Sequence, residues 1–245
     1  MDLPDKNETY KLKEYWDERY SKEDSFEWCK SYGDFKQLLS ENINKGDRIL
    51  MLGCGNSSLS EDMYRDGYIN IVNIDFSPVV IENMRKKCQD MIDMEWRIMD
   101  ITKMSFTSSS FDVVIEKATL DALLVEEKDS WNPSKEARDC MNCVLSQVSH
   151  ILKDGGRFIS VTFSQPHFRK PFLAKSEYNW SIRMHTFGDS FHFFFYVMEK
   201  GKELSKEDKA LESTTKNKDN CINKIHDLNG EISEDEEDFL LNMTL

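Results

Sequence analysis

The chain contains no uninterrupted apolar run approaching about 18 residues, so it offers no candidate transmembrane helix. Its first residues, Met1 to Glu8, are charged and lack the apolar centre of a signal peptide. Basic residues are also in deficit: 32 Lys and Arg against 45 Asp and Glu give a net charge of −13. Phosphates would be repelled across most of such a surface, which disfavours nucleic acid and anionic membrane and favours a basic protein partner. The six cysteines (29, 54, 88, 140, 143 and 221) do not fall at disulfide-framework spacing. Cys140 and Cys143 form a CxxC with no second ligand pair nearby, so free thiols in a cytoplasmic protein are expected rather than zinc or redox chemistry.

What is present suffices for a core. Although only 39% of residues are hydrophobic, 15 Phe, 12 Met, 8 Tyr and 5 Trp supply bulk, and 245 residues fit one α/β core with a tail. Apolar periodicity predicts helices over 10–20, 34–43, 59–65, 79–88, around 120–125 and over 135–152. Strands are expected at 48–52, 69–74, 94–99, 111–115, 157–163, 178–187 and 191–199. Largely apolar strands alternating with helices mean a mostly parallel sheet covered on both faces, closed by a hairpin that supplies an antiparallel edge. Beyond residue 201 the pattern dissolves. Residues 202–245 hold 12 acidic and 6 basic side chains, ending in the run Ser233 to Asp238, and read as a disordered acidic tail. The folded domain is therefore placed at 10–201, after a disordered 1–9.

The chemistry concentrates at strand ends. Leu52-Gly53-Cys54-Gly55 follows the first strand, and glycine at 53 and 55 lets the backbone approach a ligand. The third glycine of a dinucleotide fingerprint is missing, with Ser58 in its place. Asp75 ends the second strand, 22 residues after Gly53, where a carboxylate can accept both hydroxyls of a ribose. Asp100 and Ile101 follow the third strand and can hold an adenine amino group and one ring face. Each feature alone is compatible with an ordinary turn. Together they favour S-adenosylmethionine over NAD, because a ligand without a pyrophosphate does not need the third glycine.

Longer motifs carry a closer likeness. Glu14–Tyr20, Leu52–Ser60 and Phe111–Ala122, together with Gly156–Ser160, Gln165–Phe168 and Phe191–Phe193, resemble the methyltransferase-like 13 group of class I S-adenosylmethionine-dependent methyltransferases. The likeness spans about residues 10–200. It implies a seven-stranded Rossmann-like sheet and, as substrate, a lysine of translation elongation factor 1-alpha. It also implies cofactor contacts at Trp16, Tyr20, Trp28, Gly53, Asp75, Phe76, Asp100, Ile101 and Lys117. Trp16 and Tyr20, spaced i, i+4, share a helix face and could close over the methionine end or simply pack on the sheet. Lys117 could pair with the cofactor carboxylate or position a loop. Ala118 departs from the group's usual glycine and could narrow the pocket.

Methyl transfer to lysine asks mainly for alignment and for a neutral nitrogen. Glu116 and Asp121 flank the cofactor turn and could attract the ammonium or relay its proton, or be structural. His167, His185 and His192 are weaker candidates, and Trp180 with Phe193–Phe195 should belong to the core. The competing readings are a methyltransferase for a small metabolite or another protein, a catalytically silent binding scaffold, and, more distantly, an NAD oxidoreductase.

Overall fold

Alternation within each strand decides the architecture. In a computed structural model, describing residues 4, 7–125, 127, 129, 131–189 and 191–215, Ile49 and Met51 of the first strand face one core while Leu50 and Leu52 face another. Val113 and Ile115 against Val114, and Phe195 and Val197 against Tyr196 and Met198, divide the same way. A sheet with two apolar faces must be covered twice. Helices α1 (Lys13–Lys22), α2 (Tyr32–Ser40), α3 (Leu59–Arg65) and α4 (Pro78–Lys87) contribute to the first layer. Helices α6 (Lys135–Ile151) and α7 (Pro166–Leu173) contribute to the second.

The seven strands are β1 (Ile49–Leu52), β2 (Ile71–Asp75), β3 (Glu95–Ile98), β4 (Phe111–Lys117), β5 (Leu152–Thr162), β6 (Trp180–Phe187) and β7 (Phe193–Lys200), in the order β3-β2-β1-β4-β5-β7-β6. Strands β3, β2, β1, β4 and β5 are parallel. The α/β class and the seven strands are as expected, with one correction. The strand antiparallel to the rest, β7, is not the edge: it is inserted between β5 and β6, and β6 forms the border. The inserted strand must be apolar on both faces, which the run Phe195-Tyr196-Val197-Met198 achieves, all four fully buried.

The domain boundaries also move. Residues 206–215 are helical, Leu204 is buried in the second core with Leu211 packed against it, and Lys170 Nζ pairs with Asp208 Oδ1 at 2.9 Å. The tail expected from residue 202 is thus folded through 215, because a sparse Leu204/Leu211 stripe docks on the core while the charges face outward or pair. Residues 216–245, including Cys221 and the acidic run, lie outside the described residues. At the other end a 3-10 turn, Asn7–Lys11, replaces the disorder expected up to residue 9. Among the described residues no helix is long and apolar enough to cross a membrane, and no cluster of His, Cys, Asp and Glu could hold a metal. Cys140 and Cys143 are free thiols.

Candidate active site

A cavity of about 870 Å³ opens at the carboxyl ends of β1, β2 and β4. Parallel strands that end together leave a crevice there, and every residue implied as a cofactor contact lines it: Trp16, Tyr20, Trp28, Gly53, Gly55, Asp75, Phe76, Asp100, Ile101 and Lys117.

The glycines are required by geometry. Gly53 and Gly55 have φ of 58° and 52°, the left-handed region. A Cβ at Gly53 would fall 2.5 Å from Thr119 Cγ2, and one at Gly55 would fall 3.1 Å from the Tyr20 hydroxyl. Between these turns lies Asp75, the last residue of β2. Its Oδ2 accepts from the Gly55 amide and its Oδ1 from the Ser77 amide, both at 3.0 Å. Burial pushes its pKa up to about 6 although the two amides pull the other way. Each oxygen keeps a further lone pair for a ligand hydroxyl. Asp100 is exposed, its Oδ1 accepting from the Thr102 amide and hydroxyl at 2.8 Å. Phe76 and Ile101 add apolar lining. An acidic acceptor, apolar lining and a cradle that a side chain would fill suit a nucleoside.

The aromatic face of α1 closes one wall. Trp16 and Tyr20 stack at 5.5 Å, with Tyr20 buried, so the face both packs on the core and lines the cavity. Arg19, nearly buried, lies over the rings of Trp16, Phe26 and Trp28 at 5.8, 4.6 and 5.4 Å and pairs with Glu23. These contacts join α1 to the loop after it.

Lys117 adopts the second of its two expected roles. Its side chain is only 5% exposed, and Nζ donates to Glu27 Oε2 at 2.8 Å and to the Trp28 carbonyl at 2.7 Å. Glu27 also accepts from the Ser57 hydroxyl and the Ser58 amide, so one carboxylate ties the loop to the glycine turn. Lys117 holds the Glu27 carboxyl below its usual range despite partial burial, and nothing in the sequence around Glu27 marked it. Ala118 takes φ 62°, a left-handed turn, which accounts physically for glycine being usual there.

The two candidate acids separate. Glu116 is fully buried and does not line the cavity; it accepts from the amides of Thr119 and Leu120 and from the Ser160 hydroxyl. Burial raises its pKa even though Arg169 lies close. Its visible work is to cap α5 (Thr119–Ala122). Asp121 does line the cavity, and Arg169 of α7, absent from the sequence reading, binds it. His167 stacks on exposed Trp131 at 4.9 Å, and His185 sits in β6; neither lines the cavity, nor does His192. Trp180 and Phe195 are core, while Phe193 and Phe194 are half-buried beside it.

Residues 43–211 match a family model described as a methyltransferase domain. The chain is 44% identical over 213 residues to the mouse EEF1A lysine methyltransferase 4, covering 86% of this chain and 84% of that protein. It is 34% identical over 193 residues to the human eEF1A lysine and N-terminal methyltransferase, covering 77% of this chain but 27% of that one. Among solved structures, N-methyltransferase NodS from Bradyrhizobium japonicum, crystallised with S-adenosyl-L-homocysteine, shares the fold at a TM-score of 0.60 and 14% identity, over 80% of this chain and all of that one. Sheet order, strand-end crevice and these matches agree, and the chain belongs to the methyltransferase-domain family.

Proposed function

We propose that the protein is an S-adenosylmethionine-dependent lysine N-methyltransferase acting on translation elongation factor 1-alpha in the cytoplasm. The observation that carries the substrate is the 44% identity, over most of both chains, to a mouse enzyme named for that activity. The cofactor half rests on the cavity itself. Asp75 would take the ribose hydroxyls, Phe76 and Ile101 would flank the base with Asp100 near its amino group, and Gly53 and Gly55 would admit the amino-acid end beneath Trp16 and Tyr20. When bound, S-adenosylmethionine would supply a methyl group on a sulfonium, whose carbon a neutral amine nitrogen attacks in line while the thioether sulfur leaves as S-adenosylhomocysteine.

The chain's own contribution is alignment and exclusion of water. Lys117 and Glu27 hold Trp28 over the cavity, and the α1 aromatics close the side, so the reacting pair meets in an apolar wall of fixed shape. Desolvation there favours loss of the lysine proton before attack. Incubating the protein with methyl-labelled S-adenosylmethionine and cell lysate, beside Asp75→Ala, tests the reading. A lysine-labelled band at elongation factor 1-alpha, lost in the variant, is expected. Label confined to small molecules, or cofactor binding without transfer, would overturn it in favour of a metabolite enzyme or a scaffold. Asp75→Ala should weaken cofactor binding by about 100-fold, the equivalent of two hydrogen bonds to a charged acceptor.

A further inference from the structure

One buried polar group lining the cavity is left half satisfied. Asp121 has a side chain 7% exposed; its Oδ1 accepts from the Thr162 hydroxyl at 2.7 Å and from Arg169 Nη2 at 2.6 Å. Its Oδ2 is buried and has no hydrogen-bond partner. A carboxylate oxygen withdrawn from water without a donor is costly, and native proteins rarely leave one so without a reason. Glu116 offers no such vacancy, since two amides and a hydroxyl already engage it. Arg169 is 0% exposed, and the same Nη2 also reaches the Thr162 hydroxyl at 3.1 Å. Its Nε and Nη1 are buried without a partner, so its one bond to Asp121 runs through Nη2 and anchors Oδ1.

We propose that Asp121 Oδ2 is the receiving site for the primary ammonium of the substrate lysine, with Arg169 as the positioning residue that anchors the other oxygen, Oδ1. The ligand class follows from the chemistry of the gap: a short, charge-assisted donor that arrives through the cavity and is absent from the resting protein. Arg169 engages Asp121 through Oδ1 alone, so an incoming ammonium at Oδ2 completes the partners of the carboxylate. Once the ammonium has released one proton to solvent water at the cavity mouth, a remaining N–H can still donate to Oδ2 and hold the lone pair in one direction. The proposal rests on the lysine methyltransferase reading, and deepens it by separating the roles of the two acids: Glu116 builds the turn and Asp121 meets the substrate.

The test compares wild type with Asp121→Asn and Arg169→Lys. Each is measured for S-adenosylmethionine dissociation constant by calorimetry, for KM and kcat on elongation factor 1-alpha, and for melting temperature. Asp121→Asn should leave the cofactor constant within about twofold and lower kcat/KM at least about 100-fold, while Arg169→Lys, which keeps the charge but shortens its reach to Oδ1, should cost about tenfold in kcat. Unchanged methylation by Asp121→Asn overturns the proposal. So does a parallel loss of cofactor affinity, which would assign Oδ2 to the α-ammonium of the cofactor instead. A measurement on wild type alone guards against variants that fail to fold. n-Butylammonium should bind the S-adenosylhomocysteine complex saturably and n-butanol should not; equal binding of the two overturns the site. If wild type methylates no elongation factor yet binds butylammonium selectively, the substrate assignment falls and the ammonium site stands.

Discussion

The two halves of the cavity hold their carboxylates by different means. On the β1–β2 side, Asp75 is fixed by backbone amides of Gly55 and Ser77, so its position follows from the strand end and the turns beside it. On the β4–β5 side, Asp121 is fixed by side chains from two other elements, Thr162 at the end of β5 and Arg169 on α7, 41 and 48 residues away. A backbone-held acid survives almost any change around it and suits a ligand that every relative must bind. An acid held by side chains can be re-aimed by substituting one neighbour. On the roles proposed above, cofactor recognition at Asp75 and substrate recognition at Asp121 would sit on opposite sides of one crevice with different tolerance to mutation.

The largest expected departure comes from breaking the side-chain half. Arg169→Met removes the cation that pairs with buried Asp121 beside buried Glu116, and should destabilise the fold by about 3–5 kcal/mol, read as the shift in a urea unfolding midpoint. A loss under 1 kcal/mol would mean that Asp121 and Glu116 do not depend on it. Acid titration sharpens the backbone-held half. Since Asp75 has its pKa raised to about 6, the empty protein protonates it below that pH, whereas ligand hydroxyls favour the ionised form. Cofactor affinity should therefore be full above about pH 6 and fall by about tenfold per unit beneath it, followed by calorimetry from pH 8 to 5. The sign for the empty fold is opposite. A carboxyl with a raised pKa disfavours the folded state increasingly as pH climbs from its ordinary value to about 6, so this group stabilises the empty protein relatively on acidification. Affinity that does not change across the window would remove Asp75 from the ribose contacts. The smallest effect lies at the junction of the halves. Ala118→Gly relieves a left-handed alanine and should add about 1 kcal/mol, offset in part by the entropy of glycine, visible as a rise of about 2–4 °C in melting temperature.

The same contrast explains what could be read in advance. The seven strands and the residues Gly53, Asp75 and Asp100 were legible because each lies next to a local signal: an apolar run, a glycine turn, an acid at a strand end. Arg169 was not. Its helix, α7, is only eight residues long with prolines at 166 and 171, so its short stripe of Phe168, Phe172 and Leu173 did not read as a helix, and the arginine it buries looked like surface charge. The one available sign was Pro166 after Gln165, a residue suited to the first helical position. Glu27 stayed hidden because its partners, Ser57, Ser58 and Lys117, come from two other strand ends. The helix at 206–215 was masked by the charge around Leu204 and Leu211. Inserting β7 beside β5 likewise depends on pairing between strands, which periodicity within one strand does not encode.

Arg19, seated among Trp16, Phe26 and Trp28, has a consequence for where this protein begins as a working object. The matched family model starts at residue 43, yet one wall of the cavity is built from residues 7–28, which the buried guanidinium fastens together. A fragment cut to the shared span would keep the sheet from β1 onward while exposing the crevice to water along that side. The span of the family model is shorter than the unit that encloses a ligand. The difference is an N-terminal segment that walls the chamber without contributing a strand to the sheet.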